Sequence, residues 1–246
     1  MLLNIKGELK EFKTPLVMGI LNVTPDSFFD GGKFIQESHI ANHIEQMLKD
    51  GVDIIDVGGM STRPGADEIS QEEEWSRVEP VLKLIAKRYS STLVSIDTCR
   101  SVIATHAIES GAAIVNDISG GTFDDKMFEA IARLNVPYII MHMQGKPKDM
   151  QHNPAYINVT NEVVDFLAKQ LAKAKKAGIK DVIVDPGFGF GKAVEHNYAL
   201  LKNISFIRMM TGCEVLAGLS RKSMINKVIG TRPEEALNGT TAVNML

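Results

Sequence analysis

Short runs of β-branched and aliphatic residues alternate along this chain with longer stretches in which apolar positions recur every three or four residues. The runs are "LVMGILN" (Leu16–Asn22), "VDIIDVG" (Val52–Gly58), "TLVSIDT" (Thr92–Thr98), "AAIVND" (Ala112–Asp117), "PYIIMHM" (Pro137–Met143), "DVIVDPG" (Asp181–Gly187) and "EVLAGLS" (Glu214–Ser220). Each is too short for a helix and apolar on both faces, which predicts strands of a covered parallel sheet. The stretches between them read as helices. In "QEEEWSRVEPVLKLIAKRY", Trp75, Val78, Val81, Leu82 and Ile85 share one face, and acidic residues crowd the first turn, where the helix dipole favours them. Another helix is predicted from Asn161 to Ala177, stopped by Gly178.

A strand–helix alternation of this kind builds either a (β/α)8 barrel or an open doubly wound sheet. The polar residues decide between them. Asn22, Asp56, Asp97, Asn116 with Asp117, His142 and Asp185 each fall at or near the C-terminal end of a different strand. A barrel gathers those ends into one mouth, whereas an open sheet would concentrate them at a switch point. The expectation is therefore an α/β barrel, a single domain spanning residues 1–246, since no linker or composition shift divides the chain. The count is one strand short of a barrel, and the chain stops at the helix-like "EEALNGTTAVNML". Either one strand is hidden in the pattern, or the last strand and helix are missing from this chain.

Composition narrows the partners. Hydrophobic residues make up 44% and charged residues 23% of the 246, the balance of a globular protein with a sizeable core. A net charge of −3 argues against nucleic acid as the main partner. Lys169, Lys173, Lys175 and Lys176 read as the solvated face of a helix. Cys99 and Cys213 are far apart and outside any C-x-x-C, so neither a disulfide framework nor a thiolate metal site is indicated. No signal peptide or membrane-length apolar run is present, and the expectation is a reduced, cytoplasmic protein.

"IVDPGFGFGK" looks like a phosphate cradle but fits neither nucleotide motif. A P-loop requires G-x-x-x-x-G-K-[ST], and here Gly187 and Gly191 are one residue too close while Ala193 stands in the hydroxyl position. The last glycine of a G-x-G-x-x-G fingerprint would fall on Lys192. Asp97 and Asp185 could simply cap helices, but carboxylates gathered into one mouth need partners. With Asn116 they suit the edge of a flat heterocycle bearing N–H donors, such as a pterin or guanine. Lys222 in "LSRKS", flanked by Ser220 and Arg221, puts a cation at a helix start against the dipole, which predicts an anionic neighbour. "GGMSTRPGA" (Gly58–Ala66) offers N–H, hydroxyl and guanidinium donors to an anion, or is an ordinary turn. Asn22 roots a long loop and could give its carbonyl oxygen to Mg²⁺. His142 stands alone, without the H-x-H of a barrel metallohydrolase, and reads as an interior residue.

Taken together, "MGILNVTPDSFFDGG", "DVGGMSTRPGA", "VSIDTCR", "AAIVNDISGG", "MHMQGKPKDMQ", "VIVDPGFGFGK" and "LAGLSRKS" closely resemble the dihydropteroate synthases, in order and over nearly the whole chain. The resemblance implies a barrel transferase of folate biosynthesis. Such an enzyme joins 6-hydroxymethyl-7,8-dihydropterin diphosphate to p-aminobenzoate, releases pyrophosphate and is the target of sulfonamides. It implies a pterin pocket of Asp97, Asn116, Asp185 and Lys222, with catalytic roles for Asp97, Asp185 and Lys222. It further implies Mg²⁺ on Asn22, Thr62 and Arg63 at the diphosphate or the aminobenzoate region, Phe190, Arg63 and Ser220 around the aminobenzoate, and a homodimer. Phe29 and Met60 depart from residues common in the family, and its last-strand Arg-x-His motif is absent. Two alternatives remain, a methyltetrahydrofolate methyltransferase on the same barrel and a non-catalytic pterin-binding protein. Pyrophosphate release separates both from the synthase.

Overall fold

The computed structural model describes residues 1–23, 33–61, 68–145 and 147–246. The chain begins with a feature absent from the reading above, an antiparallel hairpin of β1 (Leu2–Ile5) and β2 (Glu8–Glu11). Its two-residue turn, Lys6–Gly7, has φ of 53° and 87°, the twist that matches paired strands.

The parallel sheet follows in strict chain order: β3 (Met18–Asn22), β4 (Ile54–Gly58), β5 (Leu93–Asp97), β6 (Ile114–Asp117), β7 (Tyr138–Met141), β8 (Val182–Asp185) and β9 (Glu214–Val215). Each predicted run contains one of these strands. The helices between them are α1 (Lys33–Lys49), α2 (Gln71–Arg88), α3 (Ser101–Glu109), α4 (Met127–Leu134), α5 (Val159–Ala177), α6 (Val194–Lys202) and α7 (Ile204–Thr211); α8 (Ser223–Ile229) and α9 (Leu237–Asn244) follow β9. Val78, Val81, Leu82 and Ile85 of α2 are buried as the spacing predicts, while Trp75 is half-buried and meets His106 edge-on at 5.2 Å. Ser70 caps α2 by accepting from the Glu73 N–H. Helix α5 ends at Gly178 with φ 93°, and Lys169, Lys173, Lys175 and Lys176 are exposed along it.

One boundary needs correction. The run Glu214–Ser220 yields a strand only at Glu214–Val215, which pairs with β8 on one side. Among the described residues nothing pairs its other side, so beyond the hydrogen bond from the Leu216 N–H to the Val184 carbonyl no ladder holds the backbone extended. Among the described residues the sheet thus has seven strands, with β3 and β9 as its edges.

Side-chain alternation divides every strand between two environments. Outward residues such as Ile55, Val57, Ile96, Val115, Ile140 and Val184 pack under the helices. Inward residues change character along the strand. At the N-terminal end Met18, Ile54, Leu93, Ile114, Ile139 and Ile183 gather around Leu3 and Ile5 of the hairpin. One small hairpin can touch the inner faces of strands so far apart in the sheet only because the sheet curls around it. Asn4 fixes the plug, its N–H donating to the Asp181 carboxylate at 2.9 Å. Two, and in some strands four, residues further on, the same inward line carries Asn22, Asp56, Asp97, Asn116 and Asp185. Ile5→Ala is expected to cost about 2–5 kcal/mol in urea unfolding, the range for truncating a buried aliphatic residue. A loss under about 0.5 kcal/mol would show that the hairpin is not part of the core.

Candidate active site

Two polar groups stand at the C-terminal ends of the strands. The first lies on β3–β6. Register pairs Asn22 with Gly58, Gly58 with Asp97, and Asp97 with Asn116. Asn22 Oδ1 and Asp97 Oδ2 approach the Gly58 Cα so closely that a Cβ there would lie 3.2 and 3.4 Å from them. Asn116 Nδ2 donates to Asp56 Oδ2 at 3.0 Å, which leaves the amide oxygen of Asn116 free to accept. Sequence reasoning placed Asp56 at the mouth without giving it a role; it is the residue that orients Asn116. Its other oxygen, Oδ1, is buried without a partner among the described residues. Burial raises the Asp56 pKa, offset in part by the nearby Ser95 hydroxyl and then by the Asn116 hydrogen bond. Burial first, then the nearby Asp56, Asp117 and Glu74 carboxylates, push Asp97 well above the usual carboxylate range. Carboxylates buried this close together favour further N–H donors, which relieve the cost of their burial. Asp56→Ala should raise the KM for a pterin substrate at least about tenfold, as a charge-assisted hydrogen bond of about 1.5–3 kcal/mol is lost. An unchanged KM would remove Asp56 from this role.

The second group lies beyond β8. Asp185 Oδ1 accepts from the Gly187 N–H at 2.7 Å. The Lys222 ammonium donates to the Phe188 carbonyl and sits 4.5 Å from the centroid of the Phe190 ring. Lys222 and Asp185 face each other across Gly218, where a Cβ would lie 3.9 Å from Lys222 Nζ and 4.0 Å from Asp185 Oδ2. That supplies the anionic neighbour expected for a cation at this helix start. Burial raises the Asp185 pKa and lowers that of Lys222, while each opposes the shift of the other. Ser220 is exposed and begins the turn into α8.

No hydrogen bond joins the two groups among the described residues. Between them lies an apolar floor of Cys99, Ile118 and Met141, against which Met143 and Phe190 pack. Asn116 on β6 and Asp185 on β8 are two strands apart, on the order of 10 Å between backbones. That gap has polar edges on both sides and an apolar cluster between them. Asp97, Asn116, Asp185, Lys222 and Phe190 therefore border one opening, with Asn22 at its rim. Thr62, Arg63 and Phe29 lie outside the described residues.

Asp117, adjacent to Asn116, belongs to the outward face instead. It is buried and accepts from the Ser119 N–H and hydroxyl, the Gly121 N–H and the Tyr138 hydroxyl. Glu74, one of the acids read as favouring the helix dipole, is also buried; Thr98 and Arg100 both donate to it at 2.6 Å. The glycine-rich stretch after Asp185 holds its own ammonium within. Lys192 is 3% exposed and directs Nζ into the loop. Burial lowers its pKa to about 7, with Asp185 and Lys222 acting in opposite senses. Burial and the adjacent Lys192 hold His142 down to about 3, so its ring is neutral at pH 7. Between pH 7 and the ordinary lysine value of 10.5 the unfolded chain binds the proton that the native Lys192 does not. Stability of the wild type relative to Lys192→Met therefore rises with pH in that window, by up to about 1.4 kcal/mol per unit. Paired urea titrations at pH 7 and pH 9 measure it, and a difference that stays flat or falls would contradict it.

A parallel sheet curled as part of a (β/α)8 barrel, its mouth offering acids and an amide across an apolar floor, is the setting of a pterin-binding enzyme, and the sequence profile described as "pterin binding enzyme" matches residues 18–246. The dihydropteroate synthase of Haemophilus influenzae is 43% identical over 234 residues, 94% of this chain and 84% of that protein. That of Escherichia coli is 43% identical over 239 residues, 96% of this chain and 84% of the relative. Among solved structures, the Yersinia pestis dihydropteroate synthase in a sulfonamide drug complex superimposes with a TM-score of 0.90 at 39% identity, covering 99% of this chain and 88% of that one. The Xanthomonas albilineans enzyme with 7,8-dihydropteroate gives 0.86 at 34%, covering 100% and 88%. The chain belongs to the dihydropteroate synthase family of pterin-binding enzymes. It is a transferase, with the family's function of making dihydropteroate.

Proposed function

We propose that the mouth described above joins 6-hydroxymethyl-7,8-dihydropterin diphosphate to p-aminobenzoate, giving 7,8-dihydropteroate and pyrophosphate. The observation that carries this reading is the pair of polar groups facing each other across the Ile118–Met141 floor. Asp97, Asn116 and Asp185 accept from or donate to the heterocycle's edges, and Lys222 supplies a cation opposite Asp185. Phe190, with Ser220 and Arg63, frames the arylamine, and Thr62 and Arg63 serve the diphosphate side. The Xanthomonas albilineans enzyme has been solved with 4-aminobenzoic acid, which agrees with a second substrate of this kind.

The bond from the pterin methylene carbon to the diphosphate oxygen breaks, and a bond from that carbon to the arylamine nitrogen forms. The electron pair leaves with the diphosphate, and the arylammonium gives up its proton. Carboxylates beside the ring favour the positive charge that develops on the dihydropterin. An arylamine is neutral at pH 7, so no nucleophile–histidine pair is required. Asn22 fits a hard divalent cation, because the residue is exposed at the rim and an amide oxygen is a hard donor. Mg²⁺ held there would neutralise charge on the leaving diphosphate. Among the described residues no helix is long and apolar enough to cross a membrane. We place the enzyme in the cytoplasm as a homodimer.

The test is a coupled assay for pyrophosphate with both substrates. Release in proportion to p-aminobenzoate consumed is expected. Calorimetric binding of the pterin diphosphate without any turnover would favour a non-catalytic binding protein instead.

A further inference from the structure

We propose that Lys192 is a positioning residue, whose side-chain nitrogen staples the loop after β8 to the end of β7 and thereby sets Phe190 for the arylamine substrate. The inference rests on the reaction proposed above, and it assigns a role to the one cation of "DPGFGFGK" that the substrate contacts leave unused.

Four acceptors surround Lys192 Nζ: His142 Nδ1 at 3.0 Å, the His142 carbonyl at 3.3 Å, the Gly187 carbonyl at 2.9 Å and the Phe190 carbonyl at 3.0 Å. Two belong to the segment that ends β7 and two to the loop that follows β8, so one nitrogen ties the two together. The Gly187 carbonyl fixes the peptide next to the N–H that orients Asp185, and the Phe190 carbonyl fixes the residue whose ring meets Lys222. The packing leaves no slack at this seam. A Cβ on Gly191 would lie 2.3 Å from the Gln144 carbonyl oxygen, so the loop rests directly on the backbone after β7. The Asn197 side chain closes the other flank, accepting from the Gly189 N–H at 2.7 Å. His142 is held in turn by ring contacts with Phe166 and Tyr156 at 5.0 and 6.1 Å. At pH 6, below the Lys192 pKa of about 7, Nζ is an ammonium with donors and no lone pair, so His142 Nδ1 accepts and its proton sits on Nε2.

Two measurements test this. Nitrogen-15 NMR of histidine-labelled wild-type protein at pH 6 should show His142 as a neutral ring with Nδ1 unprotonated. A ring protonated on Nδ1 at that pH would overturn the staple without any variant having to fold. In steady-state pyrophosphate assays, Lys192→Met should raise the KM for p-aminobenzoate at least about tenfold. The KM for the pterin diphosphate should stay within about threefold, and Lys192→Arg should restore part of the difference. Equal rises in both KM values, or none, would reduce Lys192 to a merely structural residue. Failure of the reaction itself is distinguishable, since the wild type would then release no pyrophosphate.

Discussion

Asp185→Ala is expected to lower kcat/KM for the pterin diphosphate by at least about 100-fold. A carboxylate accepting two N–H bonds from the heterocycle would lose about 1.5–3 kcal/mol for each. The loss has a second component, since Asp185 Oδ1 also receives the Gly187 N–H that starts the next loop. Asp185→Asn separates the two. It keeps an oxygen for Gly187 but halves the acceptor set, and it should fall between Ala and wild type. The substitution also removes the group that holds the Lys222 pKa up against burial, so the alkaline limb of the pH–rate profile should move to lower pH. Steady-state kinetics with calorimetry of pterin diphosphate binding read all three effects. Affinity within about threefold of wild type in the alanine variant would take Asp185 out of the pocket.

Gly187→Ala should do comparable damage by a different route. Gly187 has φ 72°, a conformation costly for any residue with a Cβ. The added carbon would lie 1.9 Å from the His142 carbonyl oxygen, a backbone atom that no rotamer change can move aside. The loop must shift, and the Lys192 staple and the Asp185 anchor shift with it. A penalty of about 2–3 kcal/mol corresponds to a Tm lower by roughly 4–12 °C for a chain of this size. Activity should fall by at least about 100-fold. Gly212→Ala is the control, because φ there is 65° but no atom lies within 4 Å of the new carbon. It should lose some stability and no activity. If the two variants behave alike, contact with His142 is not what fixes Gly187.

Much of this arrangement was legible in the residues, and the omissions have physical reasons. The β-branched runs located the parallel strands of the described residues, most plainly the inner ones such as β4, β6 and β7, which are buried on both faces and carry an unbroken apolar signal. Asp97, Asn116, Asp185 and Lys222 stood out because a charged or amide side chain at the end of an apolar strand, or a cation at a helix start, is conspicuous. The hairpin escaped because only Leu3 and Ile5 of its residues are buried, and Lys6–Gly7 is a weaker turn signal than Asn-Gly. Asp56 lacked a role because its work is done on another side chain, sixty positions away, and pairing across strands is invisible in one sequence. Lys192 was left without a role for a related reason. A lysine after glycines suggests a ligand anion, whereas its acceptors are carbonyls of its own loop and of residue 142. The last strand was overestimated because composition shows what a segment could pair with, not whether a neighbour is present on both sides.

The inward line of each strand, aliphatic where it meets Leu3 and Ile5 and ionic at the rim, partitions the molecule's tolerance to change. Exchanges at the rim change the polar contacts offered at the opening, while the hairpin plug at the far end of the strands keeps its own packing.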